Sequence, residues 1–431
     1  MISKLSRARR DDDGSMTVLG LFVFIFIGLV GAIALDIGQL YHARTQLQVV
    51  ADQVGHAAIY RRDSQTEAQA ISDAVALGKA TLPTAVHGET IKSTDIIFGK
   101  FDYDTKVFTP DPGSKEAVRV LAYYASSRGN PASSYLFRLV GFSSFDVVVE
   151  SVWQSYRPPC ANEGMIAGRK IDLQSNNSFG DGFCAQANDR VEMNNWNSWG
   201  SNSTVSMPDK SRLVSGGYES NPGLEDALKD GYINPRVLSR LDAFRTGFLA
   251  SDPDIIPSYI TNTTPINVSG SKFDAADFPA GRIYNVSCPG TRFTLDADPT
   301  PLAGVVIVTD CKIKFGSGAQ LQNAVILSTN TSGNTFTAPS GLTVGLDDNC
   351  AAGGGASLMT YGGMDFAAKL QSYGGLFLAK SSIAYAANAN GMEGVSMIAG
   401  VDVSGTSNMG MGSCQVDQDQ GFQISYFRMG R

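Results

Sequence analysis

The chain has 431 residues with 34 basic and 41 acidic side chains, a formal net charge of −7. That length predicts two or three units, and a composition of 43% hydrophobic and 17% charged residues excludes a wholly disordered acidic chain. The acidic balance excludes a general nucleic-acid binder, which needs clustered Lys and Arg. The only histidines, His42, His56 and His87, lie in the first quarter, which excludes a histidine-based catalytic or zinc site in the rest.

Lys4, Arg7, Arg9 and Arg10 make a basic tip over residues 1–15, followed by Asp11 to Asp13. Residues 16–35 then run without a charge. Twenty helical residues rising ~1.5 Å each match a hydrocarbon core of ~30 Å. The run predicts an uncleaved transmembrane signal anchor. The alternatives are a buried core helix and a signal peptide cleaved after Gly31-Ala32-Ile33-Ala34, which would leave a mature N-terminus near Asp36. The excess of Lys and Arg before the span predicts a cytoplasmic N-terminus, with the bulk of the chain periplasmic or at the cell surface.

Beyond the span, apolar residues recur at Leu40, Ala43, Leu47, Val50, Val54 and Ala57. Steps of three and four predict that the helix continues as one rod to about Tyr60. Ser64-Gln65-Thr66-Glu67 reads as a capping box opening a second helix, with Ala68, Ile71, Val75 and Gly78 on one face and Pro83 as its stop. Residues 36–82 are therefore expected to form a membrane-proximal helical hairpin.

The stretch from Gly14 to Ala58 carries a glycine, an apolar span, and then Asp36, Gly38, Tyr41, Arg44, Leu47, Gln48, Ala51 and Asp52. In this order it resembles the TadE/TadG-like family of Flp (tight adherence) pilus-assembly proteins. The resemblance extends into Ile96 to Asp102, Phe108-Thr109-Pro110 and Ala117 to Val120. It implies a membrane protein of pilus assembly or secretion, with Tad pseudopilins or secretion-platform proteins as partners. The hairpin face carrying Leu40, Leu47 and Val54 is the expected contact. Two departures stand out. Processed pilins of this system carry Glu five residues after the cleavage glycine, and here that position is Leu19. Many TadG-like proteins also carry a von Willebrand type A domain. Asp402 to Thr406 imitates its metal motif, but only 25 residues follow, and a strand with a turn is the expected structure.

Residues 83–157 read as a small α+β unit. Strands are expected over Ile96 to Phe101, Lys106 to Phe108, Ala117 to Tyr124 and Phe145 to Trp153, with a short helix over Ser133 to Leu139. Pro158-Pro159 suits a linker.

Residues 158–431 alternate short strands with Asn, Gly and Ser turns. Gly304 to Val308 recurs at Asn323 to Leu327, and Gly375 to Ala379 at Gly394 to Ala399, each after 19 residues. Such a rung predicts a parallel β-helix, with a β-sandwich as the alternative. Asn and Ser at corners can stack as ladders. The helical stretch Asn234 to Ala250 could cover an end or a side, and the strand Ile424 to Phe427 could be a further rung or a cap.

Six cysteines, Cys160, Cys184, Cys288, Cys311, Cys350 and Cys414, all follow the span. An oxidising compartment predicts disulfides, and 15 connectivities are possible. The preferred pairing is sequence-local: Cys160 with Cys184, Cys288 with Cys311, Cys350 with Cys414. A free last pair is the alternative.

No catalytic constellation emerges, and no cofactor or metal is expected. Asp310, Lys312 and Lys314, then Asp365, Lys369 and Lys380, read as solvated faces. Asp347-Asp348 could be a calcium pair and reads likewise as a solvated face. Trp196 and Trp199 read as aromatic plugs. The expected function is a non-enzymatic accessory protein of Tad-type pilus assembly displaying a β-helix for protein interaction or adhesion. The alternative is a membrane-tethered β-helix that binds or cleaves polysaccharide, for which a surface glycan would be the partner and a charged, aromatic-lined groove the mark.

Overall fold

The computed structural model describes residues 13–156, 160, 163–297, 299–414, 422 and 425–430. The basic tip at Lys4, Arg7, Arg9 and Arg10, the Pro158-Pro159 linker and Ile424 lie outside them. The chain is mainly β, with a long apolar helix at its start. It divides into two compact units: residues up to Tyr156 together with those from Ser425 onward, and the segment between.

In the first unit, helix α1 (Asp13–Arg62) is continuous for 50 residues. Its apolar stretch 16–35 is left almost wholly uncovered by the chain. Among the described residues it is the one helix long and apolar enough to cross a membrane. Past Asp36 the same helix becomes core. Ala43, Leu47, Val50, Ala51, Val54, Ala58 and Ile59 are buried, because steps of three and four keep one face turned inward.

Helix α2 (Glu67–Thr81) begins at Thr66, whose hydroxyl accepts from the Gln69 N–H and so satisfies one orphan donor of the first turn. Its buried residues are Ala70, Ala74 and Gly78. This corrects the expected stripe. Ala68 is exposed, while Ile71 and Val75 flank the contact. The small residues win the centre because they let two helices approach closely.

Strands β1 (Ile96–Asp102), β2 (Val107–Pro110) and β3 (Ala117–Tyr124) join Val147–Tyr156 and Tyr426–Met429 in one antiparallel sheet. Its order is β2, β1, β3, 147–156, 426–429. The short helix expected at Ser133 to Leu139 is a 3₁₀ turn over Phe137–Val140. The C-terminal strand, expected as a rung or cap of the region 158–431, instead pairs Tyr426 with Tyr156 at this sheet's edge.

Helix α1 lies on β3 and on Val147–Tyr156. At Gly55 a β-carbon would stand 2.6 Å from Cδ1 of Trp153. Only glycine allows the helix backbone to reach that ring.

The second unit is built from parallel strands in every pairing described. Gly164–Ala167, Cys184–Ala187 and Thr204–Met207 follow one another with 20-residue offsets, as in Met165 with Ala185 and Cys184 with Thr204. A longer run links Arg282–Ser287, Leu302–Thr309, Ala319–Ser328, Ala356–Thr360, Leu376–Ala379 and Ser396–Ala399. Val305 pairs with Ala324 at the expected 19 residues, whereas Leu376 pairs with Ser396 at 20.

The parallel strands do not adjoin in chain order. Ser396–Ala399 pairs with Gly164–Ala167, and Asp402–Gly405 with Lys170–Leu173. The late strands therefore adjoin the early ones. The segment after Met207 returns through the helix Leu241–Ala250, which packs on the side of strands 262–269, 282–287 and 302–309. A helix on the outside explains why Val305 and Val306, on opposite strand faces, are both fully buried. By contrast, Lys170–Leu173 and Arg190–Met193 alternate inward and outward residues, as a sheet with one solvated face should.

Buried asparagines tie successive segments together. Asn197 Oδ1 accepts from the backbone N–H and Nδ2 of Asn177, at 3.2 and 2.8 Å. Asn221 Oδ1 accepts from the same two groups of Asn197, at 3.0 and 3.3 Å. Asn177 Oδ1 in turn accepts from the N–H of Met409, so the ladder crosses the junction between early and late strands. All three asparagines are buried. Three disulfides join Cys160 to Cys184, Cys288 to Cys311 and Cys350 to Cys414, with Cα separations of 4.8, 6.4 and 5.6 Å. These are the sequence-local pairs, the last included.

Two substitutions test this packing. Gly55→Val is expected to destabilise the first unit by about 1–3 kcal/mol, the usual cost of overpacking. Urea titration followed by hydrogen exchange in Val147–Tyr156 reads it. Asn197→Ala is expected to cost about 1–3 kcal/mol in the second unit, because buried donors of Asn177 lose their acceptor. The unfolding midpoint of the full chain reports it.

Candidate functional site

The family-motif residues fall where α1 leaves its apolar stretch, and the structure divides them into three groups. Asp36, Leu47 and Ala51 are buried. Gln48 and Asp52 are half-buried and joined, with Gln48 Nε2 donating to Asp52 Oδ1 at 2.9 Å and to the Glu150 carbonyl at 3.3 Å. Gly38, Tyr41 and Arg44 are exposed, Tyr41 by 67%.

This division corrects the expected partner face. Leu47 and Val54 are fully buried under the chain's own sheet and α2, and Leu40 is half-buried beside them. An apolar seam at helical spacing records a buried face but not what buries it. The face left open on the same helix is the one bearing Gly38, Tyr41 and Arg44.

Asp36 has the most specific environment. It is the first charged residue after the apolar run and only 2% exposed. Its carboxylate accepts the backbone N–H groups of Tyr135, Leu136 and Phe137, the last two onto Oδ2 at 3.0 and 2.6 Å. Burial opposes its charge, but the N–H groups of Tyr135, Phe137 and Leu136, with the charge of Arg138, outweigh that and hold the carboxyl below its usual range. A carboxyl so depressed contributes its full stabilisation above the ordinary carboxylate pKa of roughly 4. That contribution is lost only as pH falls through the lowered value. The partner loop lies 100 residues away in sequence, and no local signal linked the two.

In the second unit, the carboxylates and cations form ion pairs on the solvated strand face. Lys170 Nζ lies 2.9 Å from Asp172 and 2.8 Å from Glu192. Arg190 pairs with Glu192 and Asp189, and Arg169 with Asp402. Hydrogen bonds from Lys170 and Arg190 hold the Glu192 carboxyl below its ordinary range. Asp402 to Gly405, the imitation of a metal motif, is a strand in this face.

Lys312 donates to Asn334 at 3.0 Å. Lys380 pairs with Asp242 of the covering helix at 3.1 Å. Asp348 accepts the Ala351 N–H in a turn. Trp199 is buried and stacked on Phe179 with centroids 4.2 Å apart, whereas Trp196 is exposed. The plug reading holds for Trp199 and fails for Trp196. Among the described residues, no group of three or more His, Cys, Asp or Glu is arranged to hold a metal ion.

If Asp36 anchors the loop, Asp36→Ala should accelerate amide exchange at Tyr135, Leu136 and Phe137 by about tenfold or more. Val120 and Ser151 in the sheet should keep their parent rates. In the parent chain, protection of the three amides should persist on acidification to about pH 4 and fail only below it.

Residues 14–59 match the TadE/G-like Flp pilus-assembly family, in the stretch where the resemblance was read. Residues 164–415, more than half of the chain, match a family described as a domain of unknown function, DUF7867. No curated protein matches the chain. Among solved structures, the crystal structure of an ice-binding protein from the Antarctic ascomycete Antarctomyces psychrotrophicus is similar at 12% identity, covering 60% of this chain and 97% of that one, with a TM-score of 0.18. The chain thus belongs to the DUF7867 family and carries, ahead of that domain, a TadE/G-like Flp pilus-assembly segment.

Proposed function

We propose that this chain is a non-enzymatic, membrane-anchored accessory protein of Tad/Flp-type pilus assembly or secretion. Helix α1 crosses the inner membrane over residues 16–35. The N-terminus is cytoplasmic, and the bulk of the chain is periplasmic or at the cell surface. The parallel strands close as a β-helix displayed for protein interaction or adhesion. The reading requires no cofactor and no nucleic acid.

The observation that carries it is the continuity of α1. One helix of 50 residues is uncovered and apolar over its first part and core of a folded unit over the rest. Uncovered apolar side chains in such number need an apolar phase, and the stretch has the length of a bilayer core. The disulfides suit an oxidising compartment. The 20-residue parallel offsets and the asparagine ladder support the β-helix.

The polysaccharide reading gains less support. Trp199 is turned into the core, and the acids Asp172, Asp189, Glu192 and Asp402 are engaged by cations. The open face at Gly38, Tyr41 and Arg44 is the better surface for a pseudopilin or secretion-platform helix.

The test is a full-length chain carrying Tyr41→Ala with Arg44→Glu. Co-purification of pseudopilins should fall by at least about tenfold, a change of 1.4 kcal/mol, at unchanged protein level and disulfide content. Unchanged co-purification and pilus assembly would remove this face from the reading. Leu47→Asp, which places a charge in the core, should instead deplete folded protein.

A further inference from the structure

We infer that the loop between β3 and Val147–Tyr156, with its apolar tip at Tyr135, Leu139 and Phe142, sits in the surface of the same bilayer that α1 crosses. This inference rests on the anchored reading of α1 and adds a second membrane contact to it.

Position is the first argument. Asp36 stands one residue beyond the uncharged run, a rise of about 1.5 Å, and its carboxylate holds residues 135–137. Farther along α1, Gln48 meets Glu150, and Gly55 meets Trp153. The strand Val147–Tyr156 therefore runs beside α1 in the same direction, with its start nearest the span. The loop that precedes it lies at the membrane end of the first unit.

Exposure is the second argument. Leu139 is 79% exposed, Phe142 62% and Tyr135 58%. Three large apolar side chains within eight residues are presented outward, with exposed Arg138 among them. Apolar and aromatic residues beside a cation are the composition of an interfacial contact, where rings sit at headgroup level and the cation meets anionic lipid.

Rigidity is the third. The base of the loop is fixed: Arg128 makes two bonds to Asp95, at 2.7 and 2.6 Å, in a largely buried pair. Asp146 accepts from the N–H and hydroxyl of Ser126. The tip is tied by Asp36 and by the Phe142 N–H to the Phe137 carbonyl at 3.0 Å. A loop held at each of these points does not fold its apolar tip back into the core. The tip is pre-set to face outward, and the phase it meets beside a membrane span is lipid.

All six cysteines are paired, so a single introduced cysteine is the only thiol to label. Leu139→Cys and Phe142→Cys, each carrying an environment-sensitive fluorophore, are placed in the full chain reconstituted in phosphatidylcholine and phosphatidylglycerol vesicles. Two reference sites are labelled alike: Phe24→Cys within the span, and Ser64→Cys, in the turn after the far end of α1, whose last residue Arg62 stands about 40 Å beyond Asp36. The expected result is quenching of the 139 and 142 labels by shallow nitroxide lipids at least about twofold above that of the Ser64 label, with the Phe24 label quenched by deep nitroxides. If the loop labels behave like Ser64 while Phe24 is quenched, the loop does not touch the bilayer and the anchor stands. If Phe24 itself is unquenched, the anchored reading fails and this inference falls with it.

Discussion

One helix has to satisfy two solvents, and the first unit is organised around that constraint. From residue 16 to residue 35, α1 carries no charge and leaves its surface almost wholly uncovered. From Asp36 onward it needs a protein partner on one side and water on the other. A carboxylate at that boundary would be costly if it were merely buried. Three backbone N–H groups from a loop 100 residues away make it tolerable, and in exchange that loop is fixed against the helix. The charge marks the end of the apolar phase and attaches the sheet to the helix at the same point. The remaining contacts follow along α1, through Gln48 and Glu150 to Gly55 and Trp153.

The second unit obeys a different constraint, that of exposed ends. A run of parallel strands is held by its neighbours, and each end leaves an unpaired strand edge. Here the late strands pair with the early ones in the middle of the run, through Ser396–Ala399 on Gly164–Ala167. The chain then needs a route back to the far end, which the helix Leu241–Ala250 supplies along the side. That path makes one strand face doubly buried and leaves another, carrying Lys170, Arg190 and Glu192, to face water with its charges paired. The asparagines at 177, 197 and 221 secure the junction, since their ladder continues onto Met409.

How much of this was legible depended on whether the signal was local. The uncharged run and the steps of three and four gave α1 almost to its last residue, because helix periodicity is written within a few turns. The disulfides were legible for a related reason: pairing each cysteine with its neighbour in sequence, at separations of 24, 23 and 64 residues, gives all three. The order of the parallel strands was not legible. Asp402 beside Lys170 is a pairing across 232 residues, and no spacing announces it. The partner of Asp36 was hidden likewise. The seam at Leu47 and Val54 shows the complementary limit. The pattern required burial, and the chain's own sheet, not a partner, provides it.

The return of the C-terminal strand bears on how such a chain transmits force. A domain on a single linker is tethered at one point. Here the chain leaves the first unit's sheet after Tyr156, and the strand that returns pairs Tyr426 with that same residue. The intervening segment is thus an insertion between two adjacent strands, a site where folded inserts are tolerated because entry and exit are close. The hydrogen bonds between those strands close the insert's two ends at a separation of about 4.8 Å. A pull on the inserted segment would load the edge of an antiparallel ladder, whose inner partner packs directly on α1 through Trp153 and Gly55.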